Sequence, residues 1–228
     1  AGGFDRAAWS ELAELGLCGL YISEADGGMG MGPVEAMVTM EELGRGIVLE
    51  PLAQALIAGG VLSGYAPQAV KDAWLGRVAS GEALVVLAYQ ERKARYRLDQ
   101  CNATATQAGG AWTVSGTKSL VPVGDQADAF LVPAVANGKS ALLLVERSAQ
   151  GVTTRGYITQ DGSRAAEVIL NNAPATLVTT DGQTALDHVC HKLGVEPYGT
   201  TADGKITVQP SECLGACADA PVLLVNDR

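Results

Sequence analysis

The sequence changes character near Gly81 and again near Thr184, and the first change limits the folds that most of the chain can adopt. Before it, apolar residues recur at helical spacing, whereas after it short runs rich in Val, Thr and Leu are separated by Gly, Asp and Asn. A run of helices followed by a run of strands predicts an α+β fold rather than an alternating parallel sheet. We therefore expect a helical domain over residues 1–82 and an antiparallel β-domain over residues 83–180.

The boundaries of the expected elements are marked by Pro, Gly and one aspartate. Asp5 is placed to cap the first helix and Gly16 to end it. Pro33, Pro51 and Pro67 stand at first-turn positions. They predict three more helices, over residues 33–44, 51–62 and 67–79. Strands are predicted over residues 84–89, 103–106, 111–115, 129–133, 140–146 and 165–170.

Composition narrows the classes of partner and compartment. The 228 residues with 47% hydrophobic content suffice for one large domain or two small ones. A formal net charge of -9 without a local Lys/Arg cluster argues against nucleic acid as a partner. Apolar runs such as residues 83–88 and 221–225 are far shorter than the roughly 20 residues that span a bilayer, so no membrane insertion is expected. Five unevenly spaced cysteines favour a reducing, cytoplasmic setting over a disulfide framework.

An ordered set of motifs runs through the first part of the chain. Its members are Leu15-Gly16-Leu17, Tyr21-Ile22-Ser23-Glu24, Asp26-Gly27-Gly28-Met29-Gly30-Met31-Gly32, Glu41-Glu42-Leu43-Gly44-Arg45-Gly46 and Trp112-Thr113-Val114-Ser115-Gly116-Thr117-Lys118. The order continues through Ala127-Asp128, Gly151-Val152, Arg155-Gly156-Tyr157, Gln160-Asp161-Gly162 and Arg164-Ala165-Ala166-Glu167-Val168. The set resembles the N-terminal and middle domains of flavin-dependent acyl-CoA dehydrogenases over about residues 1–180. Its later members look most like the small subunit of pimeloyl-CoA-type dehydrogenases.

The resemblance implies an FAD whose ring lies against the β-domain. That ring would accept hydride from the β-carbon of an acyl-CoA substrate, while a carboxylate base removes the α-proton. The segments it implies for cofactor contact are Tyr89, Gln90 and Glu91, and Leu120, Val121 and Pro122. Both depart from the family pattern, which has Thr-Glu-Pro in the first segment and a Trp and a Thr in the second. Proline supplies neither a hydroxyl nor a backbone N–H, so two ordinary flavin contacts are absent.

The family's C-terminal helical domain, which carries the catalytic Glu, has no counterpart in this sequence. The resemblance therefore implies no catalytic residue here. It implies instead a partner chain or a homo-oligomer, because the missing domain would leave an apolar face of the β-domain uncovered.

A second motif lies near the end of the chain, Glu212-Cys213-Leu214-Gly215-Ala216-Cys217. Together with Thr200 to Val208 it resembles the thioredoxin-like ferredoxin subunit of NADH:quinone oxidoreductase, over about residues 184–228. The resemblance implies that Cys213 and Cys217 descend from ligands of one iron of a 2Fe-2S cluster. The family's first Cys pair has no match, and Cys190 does not occupy a ligand position. The cluster is therefore incomplete, shared or adventitious within this chain.

Several other groups have an ordinary structural interpretation. Gly28, Gly30 and Gly32 suggest a phosphate loop, but Pro33 removes an N–H donor there, which favours a surface turn. The adjacent Glu41 and Glu42 are expected on a solvated helix face.

Cys18 and Cys101 are expected to be inert thiols. His188 and His191 fit an exposed helix face better than a metal site.

Three functions remain open from the sequence. The first is a partial acyl-CoA dehydrogenase that binds FAD alone or with a partner chain. The second is an electron-transfer module built on the C-terminal segment. The third is a non-catalytic fusion, natural or artificial, of two incomplete domains.

Overall fold

The computed structural model describes residues 4–94 and 100–180. The chain divides into two compact units, Ala1–Thr180 and Asp181–Arg228. Every helix and strand described belongs to the first unit. The prediction of an α+β fold is confirmed, because the described helices end at Ala79 and the described strands begin at Val85.

Four α-helices form the first part of the described chain: α1 Arg6–Glu14, α2 Pro33–Gly46, α3 Leu52–Tyr65 and α4 Gln68–Ala79. Two single 3-10 turns, Leu17–Gly19 and Glu24–Asp26, lie between α1 and α2. Asp5 caps α1 as expected, since its carboxylate accepts a hydrogen bond of 2.8 Å from the backbone N–H of Ala7. Gly16 follows with a φ of 78°, the left-handed conformation that ends a helix.

Trp9 connects α1 to the turn that follows α4. Its side chain is buried, and its indole Nε1 donates a hydrogen bond of 2.9 Å to the carbonyl oxygen of Gly81. Gly81 has a φ of 71°, and a Cβ built there would lie 2.5 Å from the Cβ of Ala13. Only glycine therefore allows this turn to pass so close to α1.

Seven strands are found in the described residues: β1 Val85–Leu87, β2 Thr104–Ala108, β3 Ala111–Pro122, β4 Ala129–Ala136, β5 Lys139–Glu146, β6 Val152–Ile158 and β7 Arg164–Thr179. They are ordered β1-β4-β2-β3-β7-β5, and β6 pairs with β7. A further pairing of β4 with β5 closes a ring of five strands, β4-β2-β3-β7-β5. The apolar core of this part includes Val114, Phe130 and Val168, none of which is exposed.

The sheet is mixed, which corrects the expectation of a wholly antiparallel β-domain. Strands β1 and β2 both run parallel to β4, whereas the other five pairings of the described strands are antiparallel. The chain reaches β4 from β1 only after a long crossover that contains β2 and β3, and such a crossover allows parallel pairing. The alternation of apolar and polar residues in a strand does not indicate whether the neighbouring strand runs parallel or antiparallel to it.

Three strands differ most from the predicted set. Strand β3, expected over residues 111–115, continues to Pro122. Strand β6 was not predicted, because most of its residues are exposed and it carries no apolar alternation. Strand β7 continues to Thr179, although its predicted end was residue 170. It is long because its first half pairs with β6 and its last residues pair with β5.

Candidate functional site

The two segments singled out for cofactor contact lie next to each other. Residues 88–91 follow β1, and the carbonyl oxygen of Gln90 accepts a hydrogen bond of 2.8 Å from the backbone N–H of Ser119 in β3. Strand β3 has a bulge at this point, because its pairing with β7 shifts register between Lys118 and Val121. The structure thus brings the segment Tyr89 to Glu91 beside the segment Leu120 to Pro122.

The bulge turns Leu120 toward solvent. Leu120 is 49% exposed and Tyr89 is 37% exposed, whereas Val121 is buried. The φ of Leu120 is 51°, and Val123 also has a positive φ, of 44°. Such angles are unfavourable for a branched side chain and are held only where the surrounding structure imposes them. Two large apolar side chains are therefore presented at this edge, while Val121 can offer a cofactor only its backbone.

Glu91 points into the protein and is held by several donors. Its Oε1 accepts from Lys118 Nζ at 2.7 Å and from the backbone N–H of Ala103 at 3.0 Å. Its Oε2 accepts from the backbone N–H and the side-chain amide of Asn102, at 2.8 and 2.9 Å. Glu91, Lys118 and Ser119 are the buried polar or charged residues among those the structure describes. The carboxylate therefore fastens the candidate segment to the beginning of β2 and to β3.

Its surroundings make Glu91 a very weak base. Burial alone would raise the pKa of this carboxyl, but the hydrogen bonds from Lys118 and from Asn102 and Ala103 outweigh burial. They lower the pKa of Glu91 from 4.5 to about 2. A carboxylate with so low a pKa and no vacant side toward solvent is unsuited to removing a proton from a bound substrate.

In the sequence, Lys118 is notable only as the last residue of a motif, so its buried ion pair was not predicted. A sequence signal existed, because Lys118 follows Val114 by four residues in β3. Their side chains therefore lie on the same face of the strand, and Val114 is buried. A lysine on the inward face of a strand requires a buried acidic partner. The sequence did not identify that partner as Glu91.

Cys101 adjoins the same ion pair. Its Sγ lies 3.6 Å from Lys118 Nζ and 3.3 Å from the carbonyl oxygen of Pro133. Burial raises the pKa of the Cys101 thiol. Cys18 is fully buried in the helical part, and burial raises the pKa of its thiol to about 12.

The glycine-rich turn is committed to backbone pairing. The N–H groups of Gly28, Met29 and Gly30 donate to carbonyl oxygens within the turn and the preceding residues. The N–H of Gly32 donates to Glu35 Oε2 over 2.9 Å. These N–H groups are therefore not aimed at a phosphate, in agreement with the expected surface turn.

The acidic pair of α2 lies on the helix surface. Glu41 and Glu42 form ion pairs of 2.7 and 3.0 Å with Arg45, and all three side chains are mostly exposed. The expectation of a solvated face is confirmed.

Helix α2 also leaves most of its apolar residues uncovered. Val34, Met37 and Val38 are 64%, 62% and 52% exposed, while Ala36 is the buried residue of this helix. Exposed apolar side chains on this scale mark an interaction surface. From the sequence, the uncovered apolar face was expected on the β-domain, where the structure has Tyr157 and Ile158 exposed on β6.

A shallow cleft is formed by other residues. It is lined by side chains of α4 and of the ends of β4 and β5, namely Trp74, Arg77, Asp128, Glu146, Arg147 and Ser148. Both arginines of the cleft have partners. Arg77 lies over the ring of Trp74 and pairs with Glu82. Arg147 donates to the carbonyl oxygen of Ala127. None of the residues proposed from the sequence for cofactor or metal contact lines this cleft.

The candidate metal ligands Cys213 and Cys217 lie outside the described residues, as do His188, Cys190 and His191. Within residues 4–94 and 100–180, no cluster of three or more His, Cys, Asp or Glu is placed to hold a metal. None of the helices in the same residues is long and apolar enough to cross a membrane.

Comparison with known families divides the chain in two. The family "Acyl-CoA dehydrogenase, N-terminal domain" matches residues 1–82. The family "Thioredoxin-like [2Fe-2S] ferredoxin" matches residues 164–228. This second match begins at the first residue of β7, earlier than residue 184, where the sequence resemblance was expected to begin. Strand β7 is nonetheless paired with β3, β5 and β6 of the first unit.

Individual relatives agree with this division. Acyl-CoA dehydrogenase FadE27 of Mycobacterium tuberculosis is 26% identical over 182 residues, which are 79% of this chain and 48% of the relative. A subunit of the NADH-quinone oxidoreductase of Aquifex aeolicus is 54% identical over 35 residues, which are 15% of this chain and 22% of the relative. The chain thus spans at most about half the length of these curated relatives.

Solved structures share the fold of the first unit. A variant of the Tcur3481-Tcur3483 steroid ACAD has a TM-score of 0.73 at 30% identity, covering 78% of this chain and 49% of that one. The ChsE4-ChsE5 complex of Mycobacterium tuberculosis has a TM-score of 0.72 at 25% identity, covering 80% of this chain and 50% of that one. Residues 1–82 therefore match an acyl-CoA dehydrogenase N-terminal domain, and residues 164–228 of the same chain match a thioredoxin-like 2Fe-2S ferredoxin.

Proposed function

We propose that this chain is part of a flavin-dependent acyl-CoA dehydrogenase, which binds FAD through its β-domain and oxidises an acyl-CoA thioester together with a partner. The observation that carries the proposal is the meeting of the Tyr89 to Glu91 segment with the Leu120 to Pro122 bulge. These segments are far apart in sequence, and the family resemblance selects them without reference to their proximity in space. The match of residues 1–82 to the dehydrogenase N-terminal domain adds support.

The exposed edge at the bulge suits a flat, largely apolar ring. Leu120 and Tyr89 offer apolar surface, and the positive φ of Leu120 holds its side chain outward. Pro122 contributes shape but no hydrogen bond, because it lacks a backbone N–H. The residues present therefore fit the cofactor by packing more than by polar contacts. When bound, FAD would supply the electron-accepting chemistry.

The general base would come from outside the described residues. Glu91 is the carboxylate of the candidate segment, but it is buried, accepts hydrogen bonds on both oxygens and has a pKa of about 2. It therefore acts as a positioning residue that fixes the backbone at Gln90. A carboxylate supplied by another chain would complete the reaction, so we expect little dehydrogenation by this chain alone.

A partner chain or a second copy of this chain would cover helix α2. Three side chains on this helix, those of Val34, Met37 and Val38, are more than half exposed. The ChsE4-ChsE5 structure, to which the first unit is similar, is by its description a complex of two proteins. For this chain we accordingly expect self-association or capture of a helical partner rather than a stable monomer. A reducing, cytoplasmic setting belongs to the same proposal, and its support is the uneven set of five cysteines.

An electron-transfer module is the second candidate. Its support is the family match over residues 164–228 and the local identity of 54% to a subunit of an NADH-quinone oxidoreductase. In this proposal Cys213 and Cys217 contribute two thiolates to an iron-sulfur cluster, and the remaining ligands come from elsewhere. A non-catalytic fusion of the two segments is the third.

An absorbance spectrum with flavin and iron analysis separates these candidates. The protein is purified without added cofactor and then incubated with FAD before unbound flavin is removed. Retained flavin near one per chain supports the dehydrogenase. Bound iron without flavin supports the electron-transfer module. A protein that is colourless both as purified and after incubation with FAD supports the non-catalytic fusion.

A further inference from the structure

An amine, a thiol and a carboxylate meet inside the β-domain. Cys101 Sγ is 3.6 Å from Lys118 Nζ, and Lys118 Nζ is 2.7 Å from Glu91 Oε1. Cys101 Sγ is itself 3.5 Å from the same carboxylate oxygen. Lys118 and Glu91 are buried, whereas Cys101 is half-buried and is the most exposed of the three. An oxidant can therefore reach the sulfur, and the sulfur then has the amine beside it.

We propose that Cys101 and Lys118 become covalently joined when the chain is exposed to hydrogen peroxide. Peroxide first transfers one oxygen to the sulfur, giving a sulfenic acid and one water. As the Lys118 nitrogen attacks the sulfur, it passes one proton along its 2.7 Å hydrogen bond to Glu91 Oε1, whose low pKa depends in part on the ammonium that the attack removes. The S–O bond breaks as the N–S bond forms, and the departing hydroxide leaves as water with the second proton of the amine. Thiol, ammonium, carboxylate and peroxide thus yield a sulfenamide, a carboxylic acid and two waters.

The buried cluster has no net charge before or after the reaction. Before the reaction, the ammonium of Lys118 neutralises the carboxylate of Glu91. After it, the bridged nitrogen and the protonated carboxyl are both neutral, so no unpaired charge remains in the interior. The N–H groups of Asn102 and Ala103 keep their acceptors on Glu91. The product is thus compatible with the packing around it.

The bridge would join two parts of the site that are otherwise held by the ion pair. Lys118 belongs to β3 beside the bulge, and Cys101 precedes β2. Formation of the bridge does not depend on flavin binding. Burial raises the pKa of Cys101, so the thiolate is scarce near neutral pH and the oxidation is expected to be slow.

Tryptic mapping of the full chain after peroxide treatment tests the bridge. Untreated protein yields a peptide over residues 98–118, because cleavage occurs after Arg97 and Lys118. A bridged Lys118 resists trypsin, so we expect a peptide over residues 98–139 with two hydrogens lost. A second peroxide oxidation could add one oxygen to the link. The same peptide over residues 98–139 would then be found with the mass of that oxygen added, and this result also supports the bridge. Thiol reductant applied before digestion should restore cleavage at Lys118 in the sulfenamide, the form that has lost two hydrogens and gained no oxygen.

Cleavage at the exposed Lys139 serves as the internal control and should be unchanged. The C101S variant should cleave normally at Lys118 after peroxide, and C18S should behave like the unsubstituted chain. Oxygen added to Cys101 with normal cleavage at Lys118 would overturn the proposal. A disulfide at Cys101, or no change at Cys101 while glutathione in the same solution is oxidised, would overturn it equally.

Discussion

Lys118 Nζ and Glu91 Oε1 are 2.7 Å apart, and neither side chain is appreciably exposed. The pair connects the segment after β1 with the middle of β3, directly before the bulge. Both candidate segments thus depend for their position on one buried ion pair. Its properties can be measured without any cofactor.

Removing one partner of this pair should destabilise the fold strongly. We expect K118M to lower the free energy of unfolding by about 3–5 kcal/mol, because Glu91 is left buried without its cation. The double variant K118M/E91Q should cost less than the sum of the two single variants. Urea unfolding of the four proteins gives these values. The comparison variant is K71M. It removes a longer ion pair, in which Lys71 Nζ is 3.8 Å from the carboxylate of Asp26. Equal costs for K71M and K118M would contradict this interpretation.

The same pair should make stability depend on acid. Glu91 has a folded-state pKa of about 2 against an ordinary value of 4.5, so its folded form holds the proton less tightly. Its contribution is therefore fully present above about pH 4.5 and is lost as the pH falls toward about 2. The lost stability is about 3 kcal/mol. Unfolding at stepped pH should show this loss in the unsubstituted chain and a flatter profile in K118M/E91Q. Parallel profiles would refute the assignment.

Two glycines should respond oppositely to alanine. G81A should be destabilising, because Gly81 has a φ of 71° and an added Cβ would lie 2.5 Å from Ala13 Cβ. Gly76 lies in the exposed interior of α4 with nothing near its missing Cβ. G76A should therefore raise stability by about 0.5–1 kcal/mol. Thermal unfolding of both variants provides the test, and stabilisation by G81A would disprove the close approach of α1 to this turn.

Charge placed on α2 should reduce association. Val38 is 52% exposed on the uncovered face, so V38K should shift the chain toward the monomer in light scattering. Q107K places the same charge at an exposed position of β2 and should leave the mass distribution unchanged. If the unsubstituted chain is already monomeric at all concentrations, the proposed role of α2 in association is wrong.

The elements that sequence patterns predicted are those with local causes. Asp5 and Gly16 mark the ends of α1, and Pro33 begins α2, because capping and φ restrictions act within one turn. Strand β6 escaped prediction since its residues are mostly exposed on both faces.

Tertiary relationships were harder to predict. The bulge at Leu120 depends on the register of β3 against β7, and the partner of Lys118 lies 27 residues away. Neither follows from spacing within a segment. The resemblance nevertheless selected the two segments that the fold brings together.

The most direct test of flavin binding at this edge is an FAD titration of the full chain and of L120D, followed by flavin fluorescence. Leu15 is 69% exposed in the helical part, so L15D is the control for adding a carboxylate in place of an exposed leucine. We predict saturable binding of one FAD per chain, weakened at least about tenfold in L120D and unchanged in L15D. Absence of saturable binding, or equal binding by L120D, would contradict the assignment of a flavin to this edge of the β-domain.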